Sequence, residues 1–269
     1  MTENFLTVAP GFRLHYMVDD YTDPWTTPQT ILMVHGFAES GEAWRAWVPH
    51  LARHYRVVRF DMRGYGQSTP MAADYAWTME MLLGDISAVA DHLGARHFHL
   101  IGAKSGGSLV LQYAVHEPQR VMSVIAVTPP VVAAAGVSDW QKQIAAEGVV
   151  PWARTTMPGR LGTKARPEEL EWWTQNIQGK TPVSTLIGYL NWVPGLDLRE
   201  QVLRISQPTL IITTTGSGLR TVDSVKEWQG KMRDAELRVL EGDAWHPAAA
   251  YPDVCAQAAA EFLARRHPT

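Results

Sequence analysis

The clearest chemistry in this chain lies in a serine among small residues and a histidine late in the sequence. Ser105 sits in Phe98-His99-Leu100-Ile101-Gly102-Ala103-Lys104-Ser105-Gly106-Gly107-Ser108, an apolar run that passes through small residues into a helical pattern. A serine hydroxyl attacks at neutral pH only when a base takes its proton, donors receive the oxyanion and an acid orients the base. Ala103 and Gly107, two positions to either side, are small enough for a sharp strand-to-helix turn. His246, in Leu240-Glu241-Gly242-Asp243-Ala244-Trp245-His246-Pro247 after the last predicted strand, is placed to reach the serine as its base. The expected oxyanion donors are the backbone N–H groups of Gly106 and of Phe37 in His35-Gly36-Phe37. His35 itself is read as shaping that loop.

Lys104, Trp140, Arg154 and Trp245 are the candidates for substrate contact. Lys104 could hold a substrate carboxylate, although a carboxylate partner beneath the turn is the plainer reading. Arg154, Arg160 and Arg166 raise the same choice between a carboxylate clamp and a solvated surface; their spacing fixes no single helical face and favours the surface. The loop Asp61-Met62-Arg63-Gly64-Tyr65-Gly66-Gln67-Ser68 reads as a structural turn.

The elements that must position these residues alternate. Short apolar runs at 31–34, 57–58, 99–101, 123–127, 210–212 and 237–240 are separated by helical patterns, among them 84–93 and 109–115. That rhythm predicts an α/β fold with a mostly parallel sheet covered on both faces. Pro10-Gly11 between two extended segments predicts an antiparallel hairpin at one sheet edge. From 131 to 196 the strand pattern stops, and Trp140, Trp152, Trp172, Trp173 and Trp192 fall in long helical patterns. We expect a helical lid over 131–196 inserted into a core of 1–130 and 197–269, with a frayed tail over 265–269.

The 269 residues are 46% hydrophobic and 19% charged, with a formal net charge of -3. This is an ordinary globular composition. The charge predicts no nucleic acid and no anionic membrane as partner, leaving a small-molecule substrate and room for a homodimer. One cysteine, Cys255, excludes an intrachain disulfide and a cysteine-based zinc cluster. It reads as a small buried hydrophobe, and its solitude suits a reducing, cytoplasmic setting. Neither an export signal nor a transmembrane helix is expected, and no metal or cofactor is called for.

His35-Gly36-Phe37, the Asp61–Ser68 loop, the Ser105 turn and the His246 loop occur in the order found in the α/β-hydrolases, which the chain resembles over almost its full length. The resemblance implies a cofactor-free hydrolase with an inserted lid. The segments Trp140–Val149 and Asp197-Leu198-Arg199-Glu200 are similar to the 3-oxoadipate enol-lactonase group, and the whole to the carboxylesterases. A serine at the turn disfavours the dehalogenases and epoxide hydrolases of this family, which carry an aspartate there. The chain departs from the family at the acid: after Leu210-Ile211-Ile212, Ser217 stands at the acid's usual place, and Thr128-Pro129-Pro130 offers no carboxylate at the alternative one. Asp223 is the candidate acid, competing with a capping role in Thr221-Val222-Asp223-Ser224; Asp243 is the weaker choice. Without an acid, a serine-histidine pair loses about 10⁴ in turnover, or roughly 5.5 kcal/mol. Such a pair suits an activated ester, and the expected substrate is a small carboxylic ester or lactone, an enol lactone with an anionic group among them. A lyase, carbon–carbon hydrolase or cofactor-free oxygenase using His246 as base is the alternative, and a ligand-sensing protein with little turnover a third.

Overall fold

The computed structural model describes residues 4–133 and 136–267. Parts of the N-terminal stretch, of the expected lid and of the tail fall on residues 1–3, 134–135 and 268–269, outside the described residues.

Eight strands form one sheet: β1 (Asn4–Ala9), β2 (Phe12–Asp19), β3 (Thr30–Val34), β4 (Arg56–Phe60), β5 (Phe98–Ala103), β6 (Val121–Val127), β7 (Thr209–Thr214) and β8 (Ala235–Leu240). Their order is β1-β2-β4-β3-β5-β6-β7-β8. β2 runs antiparallel to β1 and β4, whereas β3 to β8 pair in parallel. The hairpin turns at Pro10-Gly11, where Gly11 takes φ +73°, a conformation that glycine adopts without a steric penalty. The central strands β3, β5 and β6 are almost entirely buried, as expected of a sheet covered on both faces.

Ten α-helices complete the described chain: α1 (Val48–Leu51), α2 (Met79–His92), α3 (Ser105–His116), α4 (Val137–Glu147), α5 (Val149–Leu161), α6 (Pro167–Asn176), α7 (Val183–Trp192), α8 (Val222–Gln229), α9 (Pro247–Ala250) and α10 (Pro252–Arg266). α2 starts a turn before the expected Gly84, because Thr78 accepts from the N–H of Met81 and caps it there. α10 runs through Arg265 and Arg266, so these two residues are not frayed; both arginines pair with Glu236, and Arg266 also with Asp234. Cys255 lies buried in α10.

Two apolar cores flank the sheet. One packs α2, α3 and the helices between β6 and β7 on one face; the other packs α10 and the pair Trp44 and Trp47 on the opposite face. Helices α4 to α7 all lie between β6 and β7, and the segment leaves and rejoins the sheet through an antiparallel bridge of Val132 with Asp197. No helix among the described residues is long and apolar enough to cross a membrane.

Candidate active site

Four loops meet at the carboxyl ends of β3, β5, β6 and β8, the crevice where parallel sheets present their ligands. The turn after β5 is the sharpest. Its strained residue is Lys104, with φ 55° and ψ −125°, while Ser105 already opens α3. A lysine held at positive φ costs on the order of 1–3 kcal/mol and persists only where its surroundings enforce it. Here Lys104 donates its N–H to Val127 O and accepts from the N–H of Ser108. The glycines two residues to either side are also obligatory. A Cβ on Gly102 would collide with the carbonyl of Gly106, and one on Gly106 with the carbonyls of Val34 and His35.

The turn is therefore centred one residue earlier than the reading built on Ser105, Ala103 and Gly107. The pattern is Gly102-Ala103-Lys104-Ser105-Gly106, and the residue held out by the elbow is a lysine. Two glycines spaced symmetrically about Lys104 were the available signal; a serine at the turn drew the reading away from it. The amide that follows the elbow residue belongs to Ser105 rather than Gly106, and as one of the first helical amides it has no carbonyl partner within α3. Phe37 and Lys104 line one cavity. His35 donates from Nδ1 to Gly36 O and accepts at Nε2 from the N–H of Met62, which fits its expected role in shaping the loop.

The Lys104 amine donates to the carbonyl oxygen of Trp245 at 2.9 Å. That carbonyl also receives the hydroxyl of Thr128, itself at φ 44°. Trp245 thus touches Lys104 through its backbone, while its indole lies against Arg160. Lys104 is partly buried and forms part of the cavity wall. Desolvation pushes its pKa down from 10.5 to about 7, the nearby Arg160 and Arg220 push the same way, and Glu39 opposes them. The positive end of α3 works against the ammonium as well.

Glu39 escaped the sequence reading. It lies 1% exposed in the loop after β3, turned inward beyond Ala38 at φ 59°. Its Oε2 accepts from the N–H of Gly36 at 2.9 Å, and its Oε1 stands 2.7 Å from Nε2 of His246. The second contact lies off the line of the ring N–H, so it is a close charge contact and not an aligned hydrogen bond. Burial would raise the Glu39 pKa, but the charge and contact of His246, with Arg160 and His35 beyond, hold it down at about 2.

His246 is buried at the end of the β8 loop, held by its N–H bonding to Arg160 O in α5. Its Nδ1 has no partner, and neither does the buried hydroxyl of Ser217 at the expected acid position. Asp223 does not supply the missing acid. It is exposed in the first turn of α8, where Thr221 provides the cap by accepting from the N–H of Ser224. Asp243 accepts from the N–H of Thr163 instead. Ser105 lines the cavity with a buried Oγ that faces the Tyr189 phenol without a well-formed hydrogen bond.

The cavity measures about 80 Å³. Its apolar wall includes Phe37, Trp140, Tyr189 and Leu190, and its cations are Lys104, Arg160 and Arg220. Trp140, a candidate for substrate contact, lines this cavity. Arg154 does not: it lies on the outside of α5, paired with Glu171. Two turns along the same helix, Arg160 points inward at 4% exposure, its guanidinium over Trp152 and Trp245. Burial lowers its pKa to about 10, partly offset by Glu39. Among the described residues no carboxylate lies within ion-pairing distance of Arg160 or Arg220, and no cluster of three or more metal-ligating side chains is present.

Residues 29–249 match the family model for the alpha/beta hydrolase fold. The chain belongs to this family. Among its relatives, epoxide hydrolase B of Mycobacterium tuberculosis is 33% identical over 121 residues, 45% of this chain and 33% of that protein. Bifunctional epoxide hydrolase 2 of Rattus norvegicus is 34% identical over 131 residues, 48% of this chain and 23% of that protein. The matched part of the chain thus spans a third or less of these relatives. Among solved structures, the enol-lactonase of Burkholderia xenovorans LB400 superposes with a TM-score of 0.87 at 20% identity, covering 97% of this chain and 99% of that one. A thermophilic esterase of Thermogutta terrifontis superposes with a TM-score of 0.86 at 21% identity, covering 99% and 100%. The two relatives named are epoxide hydrolases, and the two superpositions share the fold of this chain.

Proposed function

We propose that this hydrolase acts on a small carbonyl compound bearing a carboxylate, an anionic ester or lactone, with Lys104 as the reactive group in place of a hydroxyl. The observation that carries the reading is the lysine on the strained elbow, facing a cavity beside two arginines that lack carboxylate partners. An amine with a pKa of about 7 is substantially neutral at neutral pH and can accept a proton. In this reading the neutral amine takes a proton from an attacking water. The carbonyl oxygen becomes an oxyanion between the N–H groups of Phe37 and Ser105, and Arg160 and Arg220 hold the carboxylate. Direct attack by the amine on an ester would leave an amide more stable than the ester, and turnover would stop there. The Glu39 carboxylate positions Lys104 by keeping a negative charge near it. Helices α4 to α7 act as the lid that supplies the apolar wall and Arg160.

The test is the pH dependence of kcat/KM on a panel of small anionic esters and lactones. Hydrolysis should rise with pH and level off above about 7, and Lys104→Met should remove it. A second reading rests on one observation, the unpartnered Ser105 hydroxyl in the same cavity. If Ser105 is the nucleophile with His246 as its base, a fluorophosphonate labels it and Ser105→Ala abolishes both labelling and turnover. Under the lysine reading Ser105→Ala retains most of its turnover and the probe leaves no adduct.

A further inference from the structure

The charge balance around the cavity is lopsided. Lys104, Arg160 and Arg220 line it, with Glu39 as the opposing carboxylate and its Oε1 already against His246. Arg220 is half-buried, anchored by a hydrogen bond to the carbonyl of Val132, and it also borders a larger groove of about 740 Å³ on the outer side. It therefore stands between solvent and the enclosed amine. Arg220 lines both the groove and the cavity, whereas Arg160 lines the cavity alone, so an anion passing from one to the other meets Arg220 before Arg160. A cavity of about 80 Å³ is far below the roughly 300–1,000 Å³ of drug-sized ligand pockets, so the ligand that fits without lid movement is compact.

An amine so placed differs from a hydroxyl in one respect. With a ketone it forms a reversible carbon–nitrogen bond, because desolvation and neighbouring cations favour the neutral, nucleophilic form. We propose that Lys104 condenses with the keto carbon of a small oxo acid whose carboxylate is held by Arg160 and Arg220. This rests on the reading of Lys104 as the reactive group and extends it from base to nucleophile.

The step balances without a further reactant. The amine lone pair forms the carbon–nitrogen bond, the carbonyl π pair moves to oxygen, and a proton passes from nitrogen to that oxygen to give a carbinolamine. One proton from solvent then lets the hydroxyl leave as water, and the nitrogen lone pair forms the iminium. The iminium draws electrons from its α-carbon, so loss of an α-proton to a base gives an enamine. Reprotonation and addition of water return the oxo acid and the free lysine. The net result is exchange of the α-hydrogens with solvent.

The test uses the full chain with pyruvate and levulinate as probes, and 2-butanone as a neutral ketone of similar size. After treatment with borohydride, intact mass and peptide mapping should show an adduct equal to the acid less one oxygen, located on Lys104. The yield should be at least tenfold higher for an oxo acid than for 2-butanone, and should fall several-fold in Arg220→Gln. In D₂O, NMR should show α-hydrogen exchange faster than in buffer and lost in Lys104→Met, whose folding is checked by thermal melting. Adducts spread evenly over surface lysines, or no adduct on Lys104 at saturating acid, would overturn the proposal. In that case a Lys104-dependent ester hydrolysis still standing leaves the base reading intact, whereas hydrolysis surviving in Lys104→Met removes that reading too.

Discussion

Two buried charge clusters flank the loops after β3 and β4, and they are built to opposite standards. Asp61 accepts from the N–H groups of Gly41 at 2.7 Å and Gln67 at 2.8 Å, and pairs with Nδ1 of His15 at 2.9 Å. Burial would raise its pKa, but these bonds outweigh burial and hold it down. Both oxygens are satisfied, and the cluster fixes the turn around Gly64 and Gly66. In the second cluster, the Glu39–His246 contact is misdirected, His246 Nδ1 and Ser105 Oγ have no partner, and a lysine amine shares a carbonyl with Thr128. A charge that is fully bonded stabilises a loop. One left short of partners, on a strained backbone and beside a cavity, is kept at a cost in stability, as reactive groups are.

Exchanging one charge from each cluster should have opposite consequences. Lys104→Met should lower kcat/KM by about 10²–10⁴, the range of a lost acid–base group. The same variant should raise stability at pH 7, because burial that pushes the Lys104 pKa from 10.5 to about 7 favours the unfolded chain, where the lysine is fully protonated. Asp61→Asn should reverse the pattern, costing about 3–5 kcal/mol in urea unfolding by breaking a buried pair, with little change in turnover per folded molecule. Equal loss of activity in both variants would erase the distinction between the clusters.

Stability against pH gives a second, smaller contrast. The folded-state pKa of Lys104 is about 7 against an ordinary 10.5, so the unfolded chain binds more protons across that window. Lys104 therefore makes stability rise with pH from about 7 to about 10.5. Asp61, with its pKa held down, contributes stability that is lost as pH falls through the acid range. Unfolding curves at several pH values should lose the alkaline slope in Lys104→Met and keep the acid one.

Smaller shifts of the pH–rate profile should divide by charge. Arg220→Gln removes a cation that lowers the Lys104 pKa and should move the profile to higher pH; Glu39→Gln removes an anion that raises it and should move the profile lower. The smallest effects belong to residues outside both clusters. Asp223→Asn and Arg154→Gln should leave kcat/KM within about twofold and stability within about 0.5 kcal/mol, as for ordinary surface positions.

The sheet was readable because buried parallel strands are short apolar runs, and β3, β5, β6 and β7 each appear as one. The hairpin was readable from Pro10-Gly11. The site was readable in its loops but not in its roles. The glycines at 102 and 106 mark Lys104 as the elbow residue in the sequence itself, but both Ser105 and Lys104 lie between small neighbours and a serine carries the commoner chemistry. Glu39 was hidden because its burial depends on the reversal at Ala38, a non-glycine residue at positive φ that no local pattern announces. Arg160 and Arg154 share a helix, and only packing of α5 on the His246 loop decides which one faces inward. Asp223 misled through type alone, since a carboxylate in a first helical turn serves the helix.

The central claim is that the amine at the elbow is neutral near physiological pH. Its most direct test is an NMR titration of the full chain with carbon-13 at the lysine ε-carbons, the Lys104 signal being assigned by its absence in Lys104→Met. The account predicts a resonance that titrates near pH 7, apart from the surface lysines. A Lys104 resonance that titrates with the others above pH 10 would contradict it.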